Sequence, residues 1–94
     1  MRGSEPLLDV RSAAEFRAGH VPGAQNVPFW QLAFRAPAPP AAPDAPLVVY
    51  CGHGPRARIA AAILRRRGFR HVSLLAGHMA GWLRKGLPVE TGTR

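Results

Sequence analysis

The chain has 94 residues, 47% of them hydrophobic, and a net charge of +8 from 13 basic and 5 acidic side chains. This length suits one domain with a single core, and we treat residues 1–94 as that domain. The lone cysteine excludes an internal disulfide and a multi-cysteine zinc site, and it favours a reducing, cytoplasmic location. The apolar runs fall well short of the ~18 residues of a membrane helix, and the N-terminus lacks a signal-peptide pattern.

The dispersed positive charge leaves nucleic acids, anionic membranes and small anionic substrates as candidate partners. Its one run of three, Arg65-Arg66-Arg67, falls at the end of a predicted helix, where cations complement the helix dipole. We therefore interpret this run as a solvated helix terminus. The aromatic residues are not interleaved with the basic ones, and no nucleic-acid-binding motif is present. We expect no nucleic-acid partner and no membrane partner.

The N-terminal part of the chain predicts a strand followed by a short helix. Leu7–Arg11 is apolar and ends in charge, which favours a short strand. Ser12 and Glu15 have the spacing of a capping box, so they predict a helix over Ala13–Ala18 that Gly19 ends.

The next segment predicts a turn, a brief extended stretch, and one or two helical turns. His20–Ala24 contains Pro-Gly and is a turn, Gln25–Pro28 is extended, and Phe29–Arg35 forms the helical turns with its aromatic side chains packed on the core. Ala36–Pro46 carries five of the ten prolines. It predicts a polyproline-like or irregular surface connection.

Strands and helices also alternate in the second half. Leu47–Tyr50 is continuously apolar, which predicts a strand buried on both faces. The helix Arg56–Arg67 follows and stops at Gly68, and Val72–Leu75 is the next strand. A last short helix follows Gly77 and ends at Gly86. The predicted buried face of the long helix is Ile59, Ala60, Ile63 and Leu64, and the tail Leu87–Glu90 is predicted to lie against the core. This alternation predicts an α/β fold with a mainly parallel sheet.

The lone cysteine lies where such a fold places its active site. Cys51 directly follows a predicted strand, and a short loop containing Gly52 and Gly54 leads from it into the long helix. Backbone N–H groups converge on an anion in this strand–loop–helix layout. A thiol there is stabilised as the thiolate, which is the nucleophilic form. A lone cysteine ending a buried strand is otherwise an ordinary small core residue.

Taken in order, these motifs resemble the small single-domain members of the rhodanese family. The likeness extends from Leu7 to Glu90. The opening motifs are Leu8–Arg11, Glu15-Phe16, Gly19–Ala24 and Asn26–Pro28; the loop motif is Val48–Cys51 with Gly54 and Arg56; the closing motif is Leu75–Gly77 with Trp82 and Gly86–Val89.

The resemblance implies a single rhodanese-like α/β domain with a mainly parallel central sheet flanked by helices. It also implies that Cys51 takes a sulfur from an anionic donor such as thiosulfate, holds it as a persulfide, and passes it to cyanide, a thiol or a protein acceptor. No cofactor and no metal are expected. The loop residues expected to bind the donor, through their N–H groups and the guanidinium of Arg56, are Gly52, His53, Gly54, Pro55, Arg56 and Ala57.

The chain departs from the family pattern at three places. Only six residues precede Leu7, where family members usually have a further strand and helix, so the sheet is expected to be shortened at the N-terminus. Gly77-His78 replaces a frequent Gly-Gly pair and puts a side chain near the expected site entrance. The proline-rich connection Ala36–Pro46 replaces a segment that is commonly helical.

Several polar residues have both structural and functional interpretations. Asp9 and Arg11 are predicted to form a structural ion pair, with donor binding as the alternative. His53 either tunes the reactivity of the thiol, touches the substrate or points to solvent. His78 either lines the entrance or stabilises a turn. His20 is predicted as a structural turn residue. The four histidines lack metal-ligand spacing.

Two rival functions share the same cysteine. Cysteine phosphatases of the cell-cycle type have this fold but place the arginine six residues after the cysteine, and arsenate-reducing versions fail on similar grounds. Here Arg56 comes five residues after Cys51, a shorter loop that suits a single sulfur atom better than a phosphoryl group. The second rival is a persulfide carrier or sulfur-sensing module that acts with a protein partner.

Overall fold

The computed structural model describes residues 6–34 and 42–92, which contain a sheet of four parallel strands and four helices. The predicted α/β class with a parallel sheet is therefore confirmed. The elements in chain order are β1 (Leu7–Asp9), α1 (Ala13–Ala18), β2 (Gln25–Asn26), α2 (Phe29–Ala33), β3 (Pro46–Tyr50), α3 (Pro55–Arg66), β4 (His71–Leu74) and α4 (His78–Arg84).

The strand order β2–β1–β3–β4 creates a topological switch point beside Cys51. The chain moves from β1 outward to β2, then returns to the other side of β1 to form β3. Asp9 pairs with Tyr50 at the carboxyl ends of β1 and β3. The loops after these two strands therefore diverge to opposite sides. Open parallel sheets bind ligands in the crevice between two such loops.

Strand β3 is buried on both faces, as its apolar run predicts. Leu47 and Val49 belong to a core cluster with α3, and Val48 and Tyr50 belong to a second cluster with Met79 of α4. Successive strand side chains point to opposite faces. The strand thus links the two halves of the core and has little freedom to move.

The predicted buried face of α3 is only partly right. Ala60 and Leu64 are buried and Ile63 packs partly against the core, but Ile59 is 50% exposed. The observed stripe is Ala57, Ala60, Ala61 and Leu64. Small side chains on this stripe let the helix axis lie close to the sheet, so the larger isoleucine lies outside the contact.

The aromatic residues of α2 also differ from expectation. Phe29 packs partly against the core, but Trp30 is 42% and Phe34 is 81% exposed. Leu32 takes the buried position instead. The prediction that the aromatics of this segment pack on the core is therefore wrong for Trp30 and Phe34, because so short a helix presents only one narrow face to the core.

Other boundaries agree with the sequence to within one or two residues. The capping box is present, with Ser12 and Glu15 satisfying each other's backbone N–H groups. The predicted packing of the tail Leu87–Glu90 against the core is wrong, since Leu87 is 38% and Val89 39% exposed. The tail is held at the surface by reciprocal backbone hydrogen bonds of 2.9 Å between His20 and Glu90. Residues 35–41, which include most of the predicted proline-rich connection, lie outside the described residues.

The predicted ion pair between Asp9 and Arg11 is confirmed as a buried structural contact. Arg11 Nη2 donates to Asp9 Oδ2 at 2.7 Å, and the backbone N–H of Arg11 donates to Asp9 Oδ1 at 2.9 Å. Arg11 Nη2 also donates to the carbonyl of Gly19 at 2.6 Å. The pair thus ties the end of β1 to the end of α1, immediately below the switch point.

We expect Asp9→Ala to cost about 3–5 kcal/mol in the free energy of unfolding, because it leaves the guanidinium of Arg11 buried without its partner. Urea denaturation measures this loss. The matched control is Asp44→Ala, which breaks an exposed ion pair with Arg70 and should cost less than about 1 kcal/mol. Similar losses in both variants would contradict a buried structural role for Asp9.

Candidate active site

Cys51 is completely buried at the end of β3, and its sulfur accepts a hydrogen bond from the loop that follows. The backbone N–H of Gly54 donates to Cys51 Sγ at 2.9 Å. Gly54 has φ +131°, a conformation that essentially only glycine adopts. The glycine therefore lets the loop fold back so that an amide faces the sulfur.

The remaining predicted loop residues have different positions and different capacities. Pro55 begins α3 and has no N–H to donate, so it fixes the helix start rather than binding an anion. Arg56 and Ala57 follow in the first helical turn, where N–H groups have no intrahelical acceptor. The side chain of Ala57 is buried in the core, and His53 is exposed.

The first turn of α4 holds the loop from the other side. Met79 N–H donates to the carbonyl of Cys51 at 2.9 Å, and Ala80 N–H donates to the carbonyl of Gly52 at 3.0 Å. These two amides belong to the unsatisfied N-terminal end of a helix, so each bond satisfies a donor and an acceptor at once. The backbone of the cysteine loop is consequently fixed to α4.

His78 adds a side-chain contact that sequence reasoning did not specify. Its Nδ1 accepts the backbone N–H of Cys51 at 3.3 Å, and its Nε2 lies 3.3 Å from the position of a Cβ built on Gly54. His78 itself has φ +53°, which is uncommon for a residue with a side chain. The unusual backbone places the ring against both ends of the loop.

The acceptor role of His78 requires an unprotonated Nδ1, and the surroundings favour that state. Burial lowers the pKa of His78 below 6.5, and the nearby charges of Arg58 and His53 lower it further. Both effects favour the neutral ring, in which Nδ1 can accept a hydrogen bond. This contact is a consequence of the Gly77-His78 departure noted in the sequence.

Arg56 lies at the loop, but its guanidinium is paired with Glu15 of α1. Arg56 Nη1 donates to Glu15 Oε1 at 2.6 Å, and Nη2 donates to Oε2 at 3.1 Å. Arg56 Nη2 also lies 3.2 Å from the position of a Cβ built on Gly52. The hydrogen bonds from Arg56, with those of the Ser12 cap, lower the pKa of Glu15 to about 2, although burial opposes this shift.

A cavity of about 260 Å³ lies between α1 and α4 next to this ion pair. Glu15 and Arg11 contribute its polar wall, and Met79, whose N–H binds Cys51, contributes to its apolar wall. Its other lining residues are Ala18, Gly19, Leu83 and Val89. The cavity is therefore mostly apolar, and it lies beside the helix that holds the cysteine loop.

The described residues hold no group of three or more His, Cys, Asp or Glu side chains that is arranged to bind a metal ion. Among the helices of residues 6–34 and 42–92, none has both the length and the apolar character needed to span a bilayer.

Comparison with known proteins agrees with this geometry. Residues 1–85 match the family described as the rhodanese-like domain. The chain belongs to this family. The rhodanese-like domain found here is 36% identical over 90 residues to the thiosulfate sulfurtransferase GlpE of Actinobacillus succinogenes, covering 90% of this chain and 75% of that protein.

Other relatives of this rhodanese-like domain have different names. The solved structure of the human single-domain sulfurtransferase TSTD1 superimposes with a TM-score of 0.78 at 32% identity, covering 88% of this chain and 84% of that one. A helix-turn-helix-type transcriptional regulator of Mycobacterium tuberculosis is 39% identical over 92 residues, which cover 96% of this chain but 39% of the regulator. The domain therefore occurs both in proteins named as sulfurtransferases and in a protein named as a regulator.

We expect NMR titration of the His78 ring to give a pKa below 6.5, since burial disfavours its charged form. Arg58→Ala should raise this pKa part of the way towards 6.5, because one nearby positive charge is removed. Arg70→Ala, whose ion pair lies elsewhere on the surface, is the control and should leave it unchanged. A wild-type value at or above 6.5 would contradict the assigned contact with the Cys51 N–H.

Proposed function

We propose that this protein moves a sulfane sulfur from thiosulfate or a similar donor to cyanide or a thiol acceptor, through a persulfide on Cys51. The Cys51 thiolate attacks the outer sulfur of thiosulfate, the sulfur–sulfur bond of the donor breaks, and sulfite leaves with the electron pair. The acceptor then attacks the terminal sulfur of the persulfide and regenerates the thiolate. The free thiol this needs fits the reducing, cytoplasmic compartment that we predict.

The observation that carries this proposal is the hydrogen bond from Gly54 N–H to Cys51 Sγ. A cysteine that only fills space in a core does not require a hydrogen-bond donor at its sulfur. A thiolate or persulfide, in contrast, is stabilised by such a hydrogen bond. The unpaired first-turn amides of Arg56 and Ala57 and the positive end of α3 act in the same direction.

The burial of Cys51 imposes a condition on the reaction. The sulfur is inaccessible in the resting structure, so the donor reaches it only when the loop or the Cys51 side chain shifts. Burial also keeps bulk solvent from the persulfide between the two half-reactions, which favours transfer to a chosen acceptor over loss of the sulfur.

A persulfide carrier or sulfur-sensing module is the second candidate, and the regulator among the relatives favours it. Its chemistry at Cys51 would be the same. The sulfur, however, would be transferred only to a protein partner, or sensed only by one. Multiple turnovers with thiosulfate and cyanide support the enzyme, and a single loading event without turnover supports the carrier. The five-residue spacing to Arg56 leaves phosphate hydrolysis the least favoured alternative.

Thiosulfate treatment should add about 32 Da to the intact protein, and cyanide should remove it, because one sulfur atom is gained and then lost. Cys51→Ser should abolish both the mass change and turnover. Serine differs from cysteine by one atom, so circular dichroism should show that the fold remains. Retention of turnover by this variant would rule out the proposed mechanism.

Arg56→Ala should reduce kcat/KM for thiosulfate by about tenfold, mainly through KM, because the carboxylate of Glu15 is then left unpaired beside the loop and repels the donor. The effect should be smaller than that of Cys51→Ser, since the cysteine forms the covalent bond. Arg70→Ala removes an equal charge from an exposed ion pair and serves as the control. An unchanged KM for thiosulfate in Arg56→Ala would show that this arginine does not attract the donor.

A further inference from the structure

The cation that would receive an anionic donor is already neutralised. Both Nη atoms of Arg56 donate to the two carboxylate oxygens of Glu15. The side chains of Arg56 and Glu15 are 31% and 40% exposed, so the pair lies at the protein surface and faces incoming solutes. A donor that approaches Arg56 therefore meets a carboxylate on the same guanidinium.

The consequence depends on the charge of the donor. Attraction to Arg56 and repulsion by Glu15 both grow in proportion to the number of negative charges on the donor, so Glu15 cancels the advantage that the guanidinium alone would give to a dianion. Thiosulfate carries two negative charges, whereas a thiosulfonate or the deprotonated form of a simple organic hydropersulfide carries one. Glu15 keeps its own charge throughout the neutral range, because Arg56 lowers its pKa to about 2.

We propose that Glu15 makes the site select a singly charged organic sulfur donor, a hydropersulfide or a thiosulfonate, over dianionic thiosulfate. This inference rests on the sulfur transfer proposed above and names the substrate class for the same site. Thiosulfate remains a donor, but a disfavoured one.

The adjoining cavity supports an organic donor independently of the charge argument. It holds about 260 Å³ between α1 and α4, and Ala18, Met79, Leu83 and Val89 give it apolar walls. Thiosulfate has no apolar group to place there, whereas the carbon substituent of an organic donor does, and burying it is favourable. The cavity shares Glu15 with the ion pair, and its wall includes Met79 of α4, whose backbone N–H binds the Cys51 carbonyl.

The chemistry balances for the organic donor as it does for thiosulfate. With a thiosulfonate, the Cys51 thiolate bonds to the terminal sulfur, the sulfur–sulfur bond breaks, and a sulfinate anion leaves with the electron pair. With a hydropersulfide, the leaving group is a thiolate, which takes up a proton from solvent according to its own acidity. Neither reaction needs an oxidant or a reductant.

Thiosulfate and methanethiosulfonate make a suitable test pair, because a methyl group replaces one charged oxygen at nearly constant size. The measurement is kcat/KM of sulfur uptake by Cys51 for each donor, in the wild type and in Glu15→Gln. Glutamine still accepts the Ser12 N–H of the capping box, so the variant removes charge while it keeps the helix start. Glu15→Ala is a second charge-removing variant, with a strongly helix-forming residue.

We expect removal of the Glu15 charge to raise the thiosulfate to methanethiosulfonate ratio of kcat/KM about tenfold at low salt. The increase should shrink in 1 M salt, where the Debye length is about 3 Å, a behaviour that a purely structural effect would not show. The matched control is Asp44→Asn, which frees Arg70 from an exposed carboxylate. Asp44 precedes β3, about 20 Å along the chain from Cys51, and the ratio should not change in this variant.

A ratio that stays constant or falls in both Glu15 variants would overturn the inference, since the carboxylate would then only orient Arg56. That result is distinct from failure of the proposed function. If neither donor adds sulfur to wild-type Cys51, no persulfide mass appears with any variant, and the sulfur-transfer proposal itself fails together with the selectivity that rests on it.

Discussion

The hydrogen bond from Gly54 N–H to Cys51 Sγ is the contact on which the candidate site depends. It exists because Gly54 adopts φ +131°, which turns the loop back over the sulfur before Pro55 starts α3. A side chain at Gly54 would be strained and would approach Nε2 of His78 at 3.3 Å. One glycine therefore sets both the direction of the amide and the space for the ring that packs against it.

The global and local charges of the protein act in opposite directions. The net charge of +8 attracts anions to the molecule as a whole. At the loop, however, Glu15 cancels the charge of Arg56, and Asp9 cancels that of Arg11. The attraction thus brings anions near the surface without favouring the most highly charged of them at the sulfur.

Local rules account for what the sequence predicts well. Caps, glycine stops and apolar runs act over a few residues, so they place α1, β3 and the loop of Cys51 to within a residue or two. The ion pair between Arg56 and Glu15 joins residues 41 apart in the chain, and no local sequence pattern predicts that these two side chains meet. The capping box already explains why a glutamate stands at position 15, so the sequence offers no reason to expect its ion pair with Arg56.

The errors in the predicted core have a related cause. Periodicity ranks α3 positions by hydrophobicity, but close contact with a flat sheet selects small side chains, so Ala57 and Ala61 are buried and Ile59 is exposed. The sequence pattern likewise singles out His78 but not its hydrogen bond to Cys51, because that bond depends on an uncommon backbone conformation. The contacts that shape the site are thus tertiary ones.

If Cys51 takes up sulfur as proposed, the contacts around the loop indicate the side from which a donor would reach the buried sulfur. On the α4 side, two backbone hydrogen bonds and the His78 ring hold the loop. On the α1 side, the half-exposed pair between Arg56 and Glu15 is the attachment. An exposed ion pair contributes about 1 kcal/mol or less, whereas each backbone hydrogen bond contributes a similar amount and here they act together. Opening of the loop on the α1 side therefore requires the least free energy. A donor that enters from this side would pass the carboxylate of Glu15 before it reaches Cys51.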